Sequence, residues 1–260
     1  MRASEWIDNS VTSLLDVGCN AGAWLKDCAR RYPFARLAGV DINESALRLA
    51  REKVPGADLR HAGAEHLPFG DATFEYVTCI EVLEHLPPDL RPVAFHEMRR
   101  VLQPGGKLIL TVPHAGSFAW LDSNNVRLRA PGLYTMLVGG GKRDASYKAR
   151  SQNVEWHYHF SEHELLALAG EGWETIAVAR GGLFLYPLMD WLSWPFYRFG
   201  MPNHPVRRTF ERIAGWDYRI DFGRASYGIL VVLQRSADMQ AAFVESAAFA
   251  VETAHELFQS

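Results

Sequence analysis

The sequence is poor in cysteine: Cys19, Cys28 and Cys79 are an odd number without metal-ligand spacing. A disulfide framework is therefore disfavoured, and buried, reduced thiols in a cytoplasmic setting are expected. Basic excess is missing as well, because 27 Lys and Arg against 30 Asp and Glu leave a net charge of −3. That balance gives no whole-chain electrostatic footprint for nucleic acid, so none is expected as a partner. No apolar run has the length of a membrane span, and the segment Met1–Trp6 lacks the apolar core of a secretory signal. Two phosphate-binding patterns are also unmet. Gly18, Asn20 and Gly22 give Gly-x-Asn-x-Gly rather than Gly-x-Gly-x-x-Gly, which disfavours a nicotinamide fold. Gly139-Gly140-Gly141-Lys142 lacks the first glycine and the Ser or Thr of a phosphate loop, and reads as a hinge.

What is present is organised around Leu14-Leu15-Asp16-Val17-Gly18-Cys19-Asn20-Ala21-Gly22, an apolar run that ends at an acid and opens into a turn. This reads as strand, tight loop and helix start, with the helix aiming free N–H groups at a ligand. Asn20 in place of a glycine is tolerable, because Asn adopts a left-handed backbone more readily than other residues. A second apolar run, Leu37-Ala38-Gly39-Val40, ends in Asp41, where a carboxylate can accept both hydroxyls of a ribose. Strand and helix patterns alternate through residue 112, predicting a parallel sheet with helices on both faces. The edge beyond the strands' carboxyl ends should carry Asp16, Asp41, Gly63, Ala64, Glu81 and His114.

One domain with insertions is predicted: a core over 1–114, a lid over 115–160, the core continued over 161–182, and an apolar cap over 183–224. A last strand and an amphipathic C-terminal helix fill 225–260. The cap's aromatic-rich stretch 183–199, with arginines following it, is read as a pocket cover or homodimer face, with peripheral membrane contact as the alternative.

The glycine turn, Ala64-Glu65-His66-Leu67-Pro68-Phe69, the run from Phe74 to Pro87 and Leu102-Gln103-Pro104-Gly105-Gly106-Lys107-Leu108 occur in an order that resembles the class I S-adenosylmethionine-dependent methyltransferases. The likeness is greatest to the small-molecule, ubiquinone-pathway-like O-methyltransferases. It implies an α/β fold: a doubly wound, mostly parallel seven-stranded sheet of the Rossmann-like methyltransferase type, its last strand antiparallel. It also implies S-adenosylmethionine as cofactor, held by Asp16, Gly18, Cys19, Asn20 and Gly22 near the methionine end and by Asp41 at the ribose. Ile42, Gly63, Ala64, Glu65 and Ile80 would complete the cofactor site, with Ile42 and Leu67 as apolar walls.

Glu81, Glu84 and His85 place three proton-transfer or metal-binding groups just after the fourth strand. Ubiquinone-pathway O-methyltransferases and small-RNA 2′-O-methyltransferases carry a similar cluster, a later histidine and a divalent metal. By that likeness Glu81, Glu84, His85 and His159 are candidate ligands, with His157 as an alternative later histidine; His85 acting as a base without metal is preferred. His114, His157 and His159 join Glu81, Glu84 and His85 as candidate catalytic residues. The expected activity is methyl transfer to a small, largely apolar or aromatic acceptor, most simply at oxygen. Nitrogen or carbon methylation is the alternative, and a non-catalytic S-adenosylmethionine-binding partner protein is the reading from another class.

Overall fold

The computed structural model describes residues 3–32, 34–122, 157–201 and 204–236, with isolated residues 132 and 136. Seven strands form one sheet in the order β3-β2-β1-β4-β5-β7-β6. They are β1 (Ser13–Val17), β2 (Arg36–Asp41), β3 (Asp58–His61), β4 (Phe74–Ile80), β5 (Leu102–Pro113), β6 (Trp173–Gly181) and β7 (Gly228–Arg235). Only β7 runs against its neighbours, pairing antiparallel with β5 and β6. The fold is thus α/β, with the mostly parallel seven-stranded arrangement that the motif order implied.

Side chains alternate across each strand, and this period of two divides the core. Leu14, Tyr76, Ile109 and Val232 face α1 (Ala23–Arg31) and α2 (Glu44–Lys53) through Leu25, Cys28, Leu47 and Ala50. Leu15, Val77, Leu108 and Val231 face the other way, onto Phe95 and Met98 of α3 (Leu90–Val101) and Leu165 of α4 (Glu162–Ala169). Asn43 caps α2 by accepting from the Ser45 and Ala46 amides, and Ser161 with Glu164 closes a capping box on α4. All three cysteines are free and buried.

Register brings the carboxyl ends level. Val17 lies opposite both Val40 and Cys79, and Ile80 lies opposite Thr111. Gly18, Asp41, Glu81 and Thr111 therefore emerge along one edge.

β5 starts at Leu102 directly from α3, and Pro104-Gly105-Gly106 is absorbed as an irregularity in the β4–β5 pairing. The cap is a pair of packed helices, α5 (Leu185–Arg198) and α6 (Pro205–Asp217), although Pro195 lies inside the first. Among the described residues no helix is long and apolar enough to cross a membrane. The triple-glycine hinge, most of the lid and the C-terminal helix fall outside the described residues.

Candidate active site

The turn after β1 uses three left-handed residues, Gly18 (φ 77°), Asn20 (φ 47°) and Gly22 (φ 71°). Gly18 also has no room for a side chain: a Cβ there would lie 2.3 Å from Val82 Cγ2. The loops after β1 and β4 are thereby pressed together. Every N–H from Gly18 to Gly22 is spent inside the protein. Gly18 and Cys19 donate to the Val40 carbonyl at 2.8 and 2.9 Å, and Gly22 donates to the Cys19 carbonyl. Asn20 N donates to Asp41 Oδ2 at 2.8 Å and Ala21 N to Asn20 Oδ1 at 2.7 Å.

Asp41 therefore has a structural duty, since its Oδ1 also accepts from Asn43 N at 2.8 Å. Each carboxylate oxygen keeps a further lone pair, so two hydroxyl donors can still be accommodated. Ile42 is half-buried beside it, its carbonyl 2.8 Å from His61 Nε2. On the next strand's loop the Glu65 carboxylate folds back where a Cβ on Gly63 would stand, 2.3 Å from Oε1, and Ala64 is buried beneath. Leu67 belongs to the core and forms no free wall.

Acids gather on this edge. Asp16 is 3% exposed and accepts from Thr78 Oγ1 at 2.8 Å, while Thr78 Oγ1 itself accepts from Trp24 Nε1 at 3.2 Å. Burial raises the Asp16 carboxyl to about 7 against the lowering effect of the Thr78 bond, and the nearby Asp41 charge adds to the rise. Glu81 holds a left-handed backbone (φ 54°), a strained state for a residue with a side chain. Its Oε1 accepts from Thr111 Oγ1 at 2.9 Å. Burial, then the charge of Glu84, push its carboxyl up to about 8.

The histidines form a second layer. Glu84 is fully buried, and neither carboxylate oxygen has a hydrogen-bond partner among the described residues. Glu84 Oε1 instead lies 3.7 Å from His85 Nε2 and 3.6 Å from His157 Nε2. Both distances exceed a hydrogen bond but suit an ion held between the groups. His157 Nδ1 donates to Asp122 Oδ2 at 2.6 Å, and His159 Nε2 lies 2.8 Å from the same oxygen. Burial opposes charge on His157, yet Asp122 and Glu84 overcome it and raise the imidazole to about 10. The two histidines in turn hold Asp122 well below the ordinary carboxylate range, although burial acts the other way.

The candidate residues are thus brought together in part. Glu84, His85 and His157 offer ligand atoms within 4.8 Å of one another, as do Asp122, His157 and His159. Neither group includes Glu81, and His159 does not join the first. His114 is buried at the end of β5, its Nδ1 2.9 Å from the Ser226 carbonyl, while its own carbonyl lies 2.9 Å from His159 Nδ1. Burial lowers its pKa, so the ring is neutral, with Nδ1–H donating. Missing from the sequence reading are Asp122, Thr111 and three tyrosines, Tyr186, Tyr218 and Tyr227. Tyr186 links the other two, with ring centroids 4.9 Å from Tyr218 and 5.1 Å from Tyr227; Tyr227 lies 5.5 Å from His159. Of these, the aromatic-rich stretch 183–199 signalled only Tyr186.

A glycine turn after the first strand, an acid ending the second, and acids at a doubly wound sheet's carboxyl edge make an edge suited to a nucleoside. Residues 15–110 match the family model described as a methyltransferase domain. A demethylmenaquinone methyltransferase of Listeria welshimeri is 39% identical over 147 residues, 54% of this chain and 60% of that protein. The chain thus spans about three fifths of the length of that relative. The fold is shared with an S-adenosylmethionine-dependent methyltransferase of Methanosarcina mazei (TM-score 0.53, 19% identity, 90% of this chain and 97% of that one). It is shared also with a structure from echinomycin biosynthesis, described by the conversion of a disulfide bond into a thioacetal group (TM-score 0.58, 16% identity, 95% and 84% covered).

Proposed function

We propose that the chain is a methyltransferase that takes its methyl group from S-adenosylmethionine and delivers it to a small, largely apolar or aromatic acceptor. The observation that carries this reading is the chemistry of the β1 turn: its amides from Gly18 to Gly22 are all internally bonded, and the acids Asp16 and Asp41 stand beside it. Such a turn is a poor cradle for phosphate, which needs free N–H donors. It suits a nucleoside whose charge is positive. S-adenosylmethionine supplies, when bound, an activated methyl group on a sulfonium.

The chain's own residues would then divide the work. Asp41 accepts the ribose hydroxyls and Asp16 faces an ammonium, while Ile42, Ala64 and the Gly63–Glu65 loop line the base side. Ile80 and Glu81 stand at the end of β4, next to the reacting groups. His85, the half-exposed member of its cluster, takes the acceptor's proton, and the buried Glu84 beside it stabilises the imidazolium. Glu84, His85 and His157 would also fit a divalent ion, because Glu84's oxygens lack hydrogen bonds and Asp122 fixes the far nitrogen of His157. Held there, such an ion would supply a Lewis acid beside the acceptor's oxygens.

Oxygen is the acceptor atom this proton-removing arrangement favours. A specific observation supports carbon as a second reading: the relative named above is a demethylmenaquinone methyltransferase. The test is isothermal calorimetry with S-adenosylmethionine and S-adenosylhomocysteine, followed by mass spectrometry of products from phenol and quinol panels. Micromolar binding with a mass gain of one methyl group supports the reading; no heat with either ligand overturns it.

A further inference from the structure

Between α5 and α6 lies a cavity of about 500 Å³, within the usual range for a small-molecule site. Tyr186, Met189, Phe210 and Tyr218 supply its apolar walls, and Gly215 leaves an open stretch between them. The inner wall is shared with the candidate active site. Tyr218 reaches the sheet edge because Gly228 has no side chain: a Cβ there would lie 1.8 Å from the phenol oxygen. Gly228 pairs with Pro113, the residue before His114. Tyr186 packs on Tyr227, whose ring meets His159. The cavity is therefore separated from the catalytic edge by one layer of tyrosine rings. Burial, then the charge of Glu81, hold the phenols of Tyr186 and Tyr218 protonated, so both are neutral donors.

Two acids, Asp190 and Glu211, and two arginines, Arg207 and Arg219, also line the cavity. Arg207 is engaged by Glu211 at 2.8 Å, whereas Arg219 has no ion pair among the described residues. Aromatic walls with one such guanidinium beside them match a ring that carries an acid.

We propose that the α5–α6 cavity is a ligand site beside the catalytic edge and takes a ring-bearing molecule with an anionic group, the ring lying against Tyr186, Phe210 and Tyr218 and the anion on Arg219. The proposal rests on the cavity alone and not on the methyltransferase reading.

The test uses two fluorescent probes on the whole chain: 1-anilinonaphthalene-8-sulfonate, which joins aromatic rings to an anion, and neutral Nile red. Gly215→Phe fills the cavity from a position where a Cβ meets nothing within 4 Å. It should weaken both probes by about tenfold or more, while S-adenosylhomocysteine affinity by calorimetry stays within about twofold. The exposed Arg219→Gln should weaken the sulfonate about tenfold and leave Nile red unchanged. Unaltered binding of both probes to Gly215→Phe overturns the site. Equal responses of the two probes to Arg219→Gln overturn the anionic group. Tight probe binding that responds as expected in a protein without affinity for S-adenosylhomocysteine strikes only the cofactor reading.

Discussion

Asp122 Oδ2 accepts a 2.6 Å hydrogen bond from His157 Nδ1, and this pair orients the histidine's other nitrogen toward the buried Glu84. Removing the carboxylate leaves the buried imidazolium with Glu84 alone, and breaking such a buried pair costs about 3–5 kcal/mol. Asp122→Ala should therefore lower the thermal midpoint markedly, and the His157 pKa, followed by NMR, should fall from about 10. The sign with pH follows. A pKa raised from 6.5 gives stability that is complete below 6.5 and is lost as pH rises through about 10. A midpoint that is flat from pH 6 to 10 in the wild type would contradict the pairing.

Asp16 gives a second experimental handle of the same sign in a lower pH window. Its carboxyl is raised from 3.8 to about 7, so the unfolded chain releases that proton first. The neutral form's advantage is complete below 3.8 and is lost as pH climbs through about 7, a swing of up to about 4 kcal/mol. Asp16→Asn should flatten urea-derived stability between pH 4 and 7. It should also remove any gain of S-adenosylmethionine affinity across pH 7, because only the ionised acid pairs with an ammonium. Identical pH profiles for the two proteins would remove Asp16 from both roles.

Asp41 is the most direct test of the nucleoside site. Losing a charged acceptor for the ribose hydroxyls costs about 1.5–3 kcal/mol, so Asp41→Ala should weaken S-adenosylhomocysteine binding at least about tenfold. Because Asp41 also holds the Asn20 and Asn43 amides, part of that loss is loosening of the turn. Asp41→Asn keeps one acceptor and should fall between. Calorimetry giving equal affinities for all three proteins would contradict the assignment.

Much of the core was legible because its signals are local. The Asp16-to-Gly22 turn, the Asn43 and Ser161 caps and the period-two strands each follow from neighbouring residues, and Asn20 takes the left-handed backbone that its chemistry allows. What was hidden depends on long-range contact. In extended chain, residues two apart point the same way, so spacing alone cannot say whether His157 or His159 meets Glu84; both in fact meet Asp122. Asp122 itself sits after a short helical turn at Ala119–Leu121 that Trp191 anchors by donating to the Leu121 carbonyl. No periodic pattern announces such an acid. The spent amides of the β1 turn were equally invisible, since Val40 and Asp41 take them from the neighbouring strand.

The last prediction separates a protein base from a metal site at the Glu84–His85–His157 group. As a base, His85 contributes about 10²–10⁴-fold to turnover, so His85→Ala should lose that much while cofactor affinity is kept. Chelator treatment should then leave the wild type active. With an ion held by Glu84, His85 and His157, chelation should abolish turnover and Mg²⁺, Mn²⁺ or Zn²⁺ should restore it. His157→Ala distinguishes the two further. It removes a ligand in the metal case, but in the base case it mainly removes a positive neighbour 4.9 Å from the His85 ring, which should raise the pH at which His85 loses its proton. The acidic limb of the pH–rate profile would move upward with turnover retained. Full activity after chelation and in His85→Ala together would take this cluster out of the chemistry altogether.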